Sequence, residues 1–173
     1  MYKVIGFHNP DEANGFLSNW YLSDFTIDGI AYSSMEQYMM YQKAVLFGDE
    51  EIAGQILETT NVGQIKALGR AVKGYNDVIW NGLRQIIIYD GLMQKFLQNE
   101  ELKHSLLATG NAVLAECAVQ DRIWGIGCSM KDERRQDMAK WNGQNLLGFS
   151  LMRVRDMLKK NEGGISGGEH ETV

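Results

Sequence analysis

The stretch Phe25–Phe47, FTIDGIAYSSMEQYMMYQKAVLF, combines the two kinds of secondary structure from which this chain is built. Asp28-Gly29 stands between two apolar runs, and this dipeptide is typical of a two-residue hairpin turn. Ser33-Ser34 then offers a helix N-cap, and apolar residues recur at helical spacing from Met35 to Phe47. The stretch therefore predicts a β-hairpin that runs directly into an α-helix.

Helical patterns dominate the rest of the chain. Short strands are expected at residues 4–8 and 113–118, and helices at 49–58, 61–67, 78–98, 100–107 and 145–160. The last helix is amphipathic, because Leu147, Leu151, Val154 and Leu158 recur at three- and four-residue steps. These patterns predict an α+β fold, a mostly helical single domain with a few short strands. We expect residues 1–160 to form the domain and the glycine-rich residues 161–173 to form a disordered tail.

The composition is that of a compact globular domain. The chain has 173 residues, of which 45% are apolar, with 4 Trp, 7 Tyr and 6 Phe to supply large buried side chains. Its 19 glycines follow no repeating period and stand beside a single proline, which excludes collagen-like and polyproline chains. Length and composition therefore predict one domain that buries its own core.

Charge and cysteine content exclude several classes of protein. Lys and Arg number 17 against 22 Asp and Glu, a net charge of −5, so no overall positive field attracts nucleic acid. The two cysteines, Cys117 and Cys128, form no CxxC or Cys/His cluster, so neither a zinc site nor a disulfide scaffold is expected. The N-terminus lacks the apolar region of a signal peptide, and no apolar run is long enough to cross a membrane. We therefore expect a cytoplasmic protein without metal, cofactor or membrane partner.

The first candidate site lies on the predicted helix after the hairpin. Glu36 and Lys43 are seven residues apart, so they lie within about 20° of the same helix face and about 10 Å apart along the axis. This separation suits two side chains that flank a small ligand. The alternative is a capping box Ser33-x-x-Glu36, in which Glu36 binds an amide at the start of the helix.

The second candidate site is the segment from Leu68 to Gly74, which places Arg70 and Lys73 between glycines. A phosphate fits such a segment, because glycine permits close backbone approach and arginine binds phosphate with two hydrogen bonds. The alternative is an ordinary helix C-terminus, with cations near its last carbonyls and a glycine that ends it.

The third candidate site lies late in the chain, where Trp124 and Trp141 are each close to a glycine in loop-like sequence. A Trp face can stack on a planar heterocycle, and an Asn amide can bind sugar hydroxyls. The alternative is that both rings belong to the core beside turn glycines. The chain has no phosphate-binding loop of the GxxxxGK[ST] type and no GxGxxG after a strand, and its histidines lack a neighbouring nucleophile pattern.

Five motifs in this order resemble the NADAR family, also called YbiA-like N-glycosidases. The similarity extends over roughly residues 2 to 159. The motifs are Phe16-Leu17-Ser18-Asn19-Trp20, Ser34-x-Glu36-Gln37-Tyr38 with Gln42-Lys43-Ala44, Leu68-Gly69-Arg70, Asp121-x-x-Trp124-Gly125, and Asn145-Leu146-Leu147-Gly148-x-x-Leu151-Met152.

The resemblance implies an α+β domain that hydrolyses an N-glycosidic bond. YbiA-like members are associated with phosphoribosylamino-pyrimidine intermediates of riboflavin synthesis, and other members remove ADP-ribose from guanine bases. The substrate is then a small phosphoribosyl or ADP-ribosyl compound, and nucleic acid is a partner only in the second case. Carried over by motif, the catalytic residues are Glu36, Lys43 and Asp121, and the substrate-binding residues are Asn19, Trp20, Arg70, Trp124, Gly125 and Asn145.

The resemblance also suggests roles for the catalytic residues. Glu36 is expected to contact the ribose and to stabilise its cation or orient water, and Asp121 is the second carboxylate. Lys43 either binds phosphate as a point charge or forms a Schiff base with an opened ribose. Two rival classes stay open at this point: a non-catalytic nucleotide or ADP-ribose binding module, and a structural domain.

The chain departs from the family pattern at two positions. Many YbiA-like members have His where this chain has Gln37, and some have an acidic residue where it has Ile126. We expect both departures to remove a titratable group from the pocket and so to affect substrate choice and proton transfer.

Overall fold

A computed structural model describes residues 2–165 of the chain. Within these residues there are six α-helices and four short strands, in largely separate runs along the chain, which confirms the predicted α+β class. Their order is β1 (Val4–Phe7), β2 (Leu22–Ile27), β3 (Ile30–Ser34), α1 (Met35–Leu46), α2 (Glu50–Leu57), α3 (Val62–Ala71), α4 (Asp77–Gln98), α5 (Glu100–Ala108), β4 (Val113–Glu116) and α6 (Leu146–Ile165).

The predicted hairpin forms from β2 and β3. Asp28 and Gly29 both have positive φ angles, 51° and 80°, as a type I′ turn requires. The flanking residues Ile27 and Ile30 are paired in the antiparallel ladder. Because β3 ends at Ser34 and α1 begins at the next residue, the hairpin delivers the chain directly into the central helix.

The other two strands join distant parts of the chain. β1 and β4 pair in parallel, with Phe7 opposite Glu116. The carboxyl ends of parallel strands meet at the same edge, so the residues that follow β1 and β4 are brought together there. This edge becomes one wall of the cavity described below.

Helix α1 is the centre of the core, and α2, α3 and α4 pack around it. The centroid of the Tyr38 ring lies 5.1 Å from that of the Tyr32 ring and 6.0 Å from that of the Phe25 ring. On α4, Gly91 faces Tyr38 so closely that an added Cβ would lie 2.5 Å from the ring. Glycine is therefore required for α4 to approach α1 at this point.

Helix α6 covers the other side of α4. Its residues Leu147, Leu151, Val154 and Leu158 are all buried, as their spacing predicts. The helix continues to Ile165, five residues into the segment predicted to be a disordered tail. The rest of that predicted tail, residues 166–173, lies outside the described residues.

A second, smaller apolar cluster lies beneath the parallel strand pair. It contains Val4, Ala115, Ile126 and the two cysteines, which are buried and free in the described part of the chain. None of the helices between residues 2 and 165 combines the length and apolar character needed to cross a membrane.

Candidate functional site

A cavity of about 470 Å³ opens between α1, α3 and the carboxyl edge of the parallel strands. Its volume is in the range of small-molecule sites, which run from about 300 to 1,000 Å³. Seven of the nine predicted site residues line this cavity: Asn19, Trp20, Glu36, Lys43, Arg70, Asp121 and Trp124.

Helix α1 supplies two of these side chains, Glu36 and Lys43, from one face, as their spacing predicts. The capping alternative is wrong, because the N-cap is Ser34, whose hydroxyl accepts a hydrogen bond of 3.1 Å from the Gln37 amide. Glu36 is the second residue of the helix and turns its carboxyl group to the cavity.

Burial dominates the electrostatics of Glu36, which is only 4% exposed. Burial raises the pKa of Glu36 to about 7, and the negative charge of Asp121 adds to the effect. Lys66, Trp20 and Arg70 oppose it. Glu36 can therefore gain and lose a proton near neutral pH, as general acid–base catalysis requires.

The side chain of Lys43 is held between a carbonyl group and an aromatic ring. Its Nζ donates a hydrogen bond of 2.7 Å to the Gly69 carbonyl oxygen and lies 4.3 Å from the centroid of the Tyr75 ring. Burial lowers the pKa of Lys43, and the charge of Glu36 partly offsets this effect. A Cβ at Gly69 would collide with Met40, so glycine is needed for α3 to bring this carbonyl against α1.

Helix α3 adds two cations to the cavity. Lys66 and Arg70 are four residues apart and both line it, with Lys66 Nζ 5.5 Å from the centroid of the Trp20 ring. Lys73 does not join them, since its Nζ pairs with Glu51 on the surface at 3.3 Å. Of the two cations in the predicted Gly-Arg segment, only Arg70 therefore lines the cavity.

The loop before the hairpin carries Asn19 and Trp20 to the start of α1. The Asn19 carbonyl oxygen accepts a 2.9 Å hydrogen bond from the Glu36 amide, which anchors the loop to the helix. The side-chain Oδ1 of Asn19 is buried and has no hydrogen-bond partner in the described part of the chain. Asn19 also lines the cavity, so its amide side chain lies beside the space that a ligand would occupy.

Asp121 both lines the cavity and shapes the turn that follows. Its Oδ1 accepts hydrogen bonds from the Ile123 and Trp124 amides at 3.0 and 2.8 Å. The turn presents the half-buried Trp124 ring to the cavity, and the guanidinium carbon of Arg84 lies 5.9 Å from the centroid of that ring.

Two predicted substrate-binding residues, Gly125 and Asn145, do not line the cavity. Asn145 is fully buried: its Nδ2 donates to the Leu114 carbonyl at 2.9 Å, and its Oδ1 accepts from the Glu116 amide at 3.1 Å. The Gly125 carbonyl accepts a 3.1 Å hydrogen bond from the Asn145 amide. The structure thus gives both residues a positioning role, because they join the tryptophan turn to β4.

The two departures from the family pattern also lie away from the cavity. Gln37 is buried, and its Nε2 donates to the carbonyls of Ile56 and Thr59 at 3.0 and 2.9 Å, which ties α1 to the end of α2. Ile126 is fully buried in the smaller apolar cluster. The expectation that these positions remove titratable groups from the pocket is therefore wrong.

The sequence predictions missed three titratable residues of the cavity, His8, Glu116 and Lys66. His8 follows β1 and Glu116 ends β4, and these strands pair in parallel. A prediction that the two apolar runs pair in parallel would have placed both side chains at one edge. Among the described residues, no three His, Cys, Asp or Glu side chains are grouped so that they could hold a metal ion.

Known proteins resemble this chain over most of its length. The model of the NADAR domain matches residues 6–159. An N-glycosidase of Acanthamoeba polyphaga mimivirus is 38% identical over 162 residues, which cover 89% of this chain and 95% of that protein. A riboflavin biosynthesis protein of Vibrio vulnificus is 33% identical over 93% of this chain, and the match covers 40% of that larger protein.

The fold has a counterpart among solved structures. The NMR structure of the Escherichia coli protein YbiA matches with a TM-score of 0.78 and 26% identity, over 98% of this chain and 90% of that one. The sequence of N-glycosidase YbiA from Escherichia coli is 28% identical over 155 residues. Family model, relatives and structure agree with the resemblance in the motifs, and the chain belongs to the NADAR family.

Proposed function

We propose that this protein hydrolyses the bond between a phosphorylated ribose and the nitrogen of a base-like heterocycle, with phosphoribosylamino-pyrimidine intermediates of riboflavin synthesis as the substrate class. The reaction class follows from the relatives named N-glycosidase, which make the chain a hydrolase that acts on N-glycosyl compounds. The observation that carries the proposal is the buried Glu36 carboxyl in a cavity that also contains Lys43, Lys66 and Arg70.

Each part of such a substrate has a matching group in the cavity. The cations Lys43 and Arg70 suit the phosphate, because their N–H groups make charge-assisted hydrogen bonds to its oxygens. The Asn19 amide side chain, which lines the cavity, suits a ribose hydroxyl. Trp124 offers a stacking surface for the base, a contact worth about 1–3 kcal/mol.

The reaction develops positive charge on the ribose C1 as the C–N bond breaks. Glu36 stabilises this cation as a carboxylate and accepts a proton from the attacking water, for which burial has already raised its pKa to about 7. The leaving nitrogen keeps the electron pair of the broken bond and takes up one proton. Asp121 faces the same cavity, and its charge favours the cationic transition state.

The name of the Vibrio relative supports the riboflavin intermediate as the first substrate to test. ADP-ribosylated guanine is the second substrate, since it presents the same ribose–nitrogen bond with a diphosphate in place of one phosphate. A non-catalytic binding module would retain either ligand intact.

The decisive experiment incubates the purified protein with each substrate and separates the released base and sugar by chromatography. We expect the wild type to release free base from the phosphoribosylamino-pyrimidine, and the Glu36→Gln variant to do so at least about 10²-fold more slowly. Free guanine from the ADP-ribosylated base alone would reassign the substrate. Binding of either compound without released base would contradict an enzymatic function.

Lys43 has two possible roles that one further measurement separates. Borohydride reduces a Schiff base between the Lys43 amine and an opened ribose to a stable secondary amine, which mass spectrometry detects. A phosphate-binding Lys43 gives no adduct. Our mechanism uses Lys43 as a charge, so an adduct on this residue would replace that assignment.

A further inference from the structure

His8 and Glu116 form a pair at the cavity wall that the reaction above does not use. His8 Nδ1 lies 3.1 Å from Glu116 Oε1, and the side chains are 43% and 10% exposed. Both residues line the cavity. The pair joins positions 108 residues apart in the sequence, and the parallel pairing of β1 with β4 creates it.

A buried side chain holds the backbone of Glu116 in place. The backbone amide of Glu116 is bound by the buried Asn145 side chain at 3.1 Å, so the end of β4 is fixed. With Nδ1 directed at Glu116, the Nε2 of His8 is the ring nitrogen available to a ligand. A carboxylate that holds one nitrogen of a histidine in this way sets which nitrogen carries the reactive proton.

Charges on several neighbouring segments act on the pair. The hydrogen bond to Glu116 raises the pKa of His8 above 6.5, against the effect of burial, and Glu12 in the following loop adds to the rise. Burial raises the pKa of Glu116, Asp121 adds to the rise, and His8 and Lys66 oppose it. Both shifts favour a proton on the pair at the cavity wall.

We propose that His8 is the catalytic residue that protonates the leaving nitrogen, and that Glu116 is the positioning residue that orients and charges it. This inference rests on the proposed N-glycosidase function. Glu36 acts from α1, and His8 acts from the strand edge, so acid and base occupy different walls of one cavity. Glycosidases generally divide the two proton transfers between two groups in this way.

The step balances in atoms and electrons. The bond from ribose C1 to nitrogen breaks, and its electron pair stays on the nitrogen, which takes the Nε2 proton of the His8 imidazolium. Water forms the new bond to C1 and gives one proton to the Glu36 carboxylate. Solvent then removes the proton from Glu36 and returns one to His8, so free base and a ribose hydroxyl are the net products.

The test compares pH profiles of kcat/KM for wild type, His8→Gln and Glu116→Gln on whichever substrate the wild type cleaves. We expect His8→Gln to lower kcat by about 10²-fold and to lose the fall in rate at alkaline pH. Glu116→Gln keeps this alkaline fall but shifts it to lower pH, because His8 loses its carboxylate. An unchanged alkaline fall in folded His8→Gln overturns the proposal.

The matched control is His104→Gln. His104 also pairs with a glutamate, since its Nε2 lies 3.3 Å from Glu100, but the pair is on the exposed surface of α5. We expect this variant to keep the wild-type rate and pH profile. Melting curves for every variant separate loss of chemistry from loss of fold.

A measurement without substrate keeps the inference separate from the proposed function. The chain has three histidines, so NMR titration of their ring protons is readily assigned from the histidine variants. We expect the His8 midpoint to lie above the ordinary histidine value of 6.5 and to fall in Glu116→Gln. A His8 midpoint that does not move overturns the pair, whereas a wild type that cleaves neither substrate contradicts the proposed function alone.

Discussion

Lys43 and Lys95 are two lysines with similar immediate neighbours and different access to the cavity. The Nζ of each donates a hydrogen bond of 2.7 Å to a backbone carbonyl, of Gly69 for Lys43 and of Phe16 for Lys95. Each also lies near aromatic rings, and burial lowers the pKa of both. What separates them is that Lys43 lines the cavity with Glu36, whereas Lys95 is fully buried in the core.

The comparison shows that burial and a carbonyl partner do not by themselves bring a lysine to the cavity. The hydrogen bond from Lys95 connects α4 to the loop that continues into Asn19 and Trp20. Lys95 therefore helps to position two cavity residues without lining the cavity itself. Among the described residues no carboxylate pairs with it, and burial alone lowers its pKa to about 7. Lys43 differs because the Glu36 charge and the open cavity let it meet an anionic or carbonyl group.

The largest expected effect comes from Glu36→Gln, which removes the carboxylate that distinguishes the surroundings of Lys43. We expect kcat to fall by about 10²- to 10⁴-fold, because a positioned acid–base group contributes on that scale. Release of free base measures the rate, and the melting temperature checks the fold. Glu101→Gln, at an exposed position of α5, is the control and should leave the rate unchanged. A wild-type rate in Glu36→Gln would remove Glu36 from the catalytic residues.

Replacement of each lysine by methionine tests the comparison directly. Lys43→Met should lower kcat/KM by about 10²- to 10³-fold, because a fixed charge near the reacting groups is lost. Lys95→Met should change kcat/KM far less, since its ammonium group does not reach the cavity. Steady-state kinetics on one substrate compares the two variants. Equal losses would show that the cavity does not separate their roles.

Lys95→Met should also change how stability depends on pH. The pKa of Lys95 is about 7 in the folded protein against 10.5 when unfolded, so the unfolded chain binds more protons between these values. The free energy of unfolding of the wild type should therefore rise with pH in this range, by on the order of a few kcal/mol. The free energy of unfolding of Lys95→Met lacks this rise. The stability of the variant relative to the wild type is therefore greatest below pH 7.

Urea unfolding at pH 6 and pH 9 measures this effect. Lys160→Met, at an exposed position on α6, serves as the control and should follow the wild-type curve. If the free energies of unfolding of wild type and Lys95→Met changed equally with pH, Lys95 would have to stay charged in the folded protein.

The smallest effect is expected from Gly69→Ala, which disturbs the carbonyl partner of Lys43. The new Cβ collides with the Met40 side chain, so Met40 must change its rotamer or α3 must move from α1, at a cost of about 1–3 kcal/mol in stability. Activity should fall with it, because Lys43 and Arg70 shift together. Gly54→Ala is the matched control: it also lies in a helix, has no atom within 4 Å of its new Cβ, and should stabilise by about 0.5–1 kcal/mol. Thermal melting compares the stability of the two variants. Equal melting temperatures would contradict the close packing of Gly69 against Met40.

Features set by local spacing were predictable from the sequence. The hairpin at Asp28-Gly29 follows from turn chemistry, and the shared face of Glu36 and Lys43 follows from the helical period. The amphipathic stripe of α6 is likewise buried where its spacing predicts. The motifs then placed seven of nine site residues in the cavity, since each motif combines a side chain with the turn or cap that presents it.

Features that depend on contacts between distant segments were not predictable in this way. Gln37 faces the end of α2 because Ser34, the second of the two predicted cap residues, is the N-cap of α1. Asn145 turns inward because the Leu114 carbonyl and Glu116 amide lie beside it in the fold. Neither partner can be inferred from the residues that flank these side chains.

The sequence by itself determined the α+β class, the central helix and the face on which Glu36 and Lys43 lie, because helix period, turn and cap chemistry act over a few residues. Only the tertiary structure decided that His8 meets Glu116 across 108 residues and that Lys43 and Lys95 differ in access to the cavity. Strand pairing and helix packing set these contacts, and both depend on which distant surfaces bury each other.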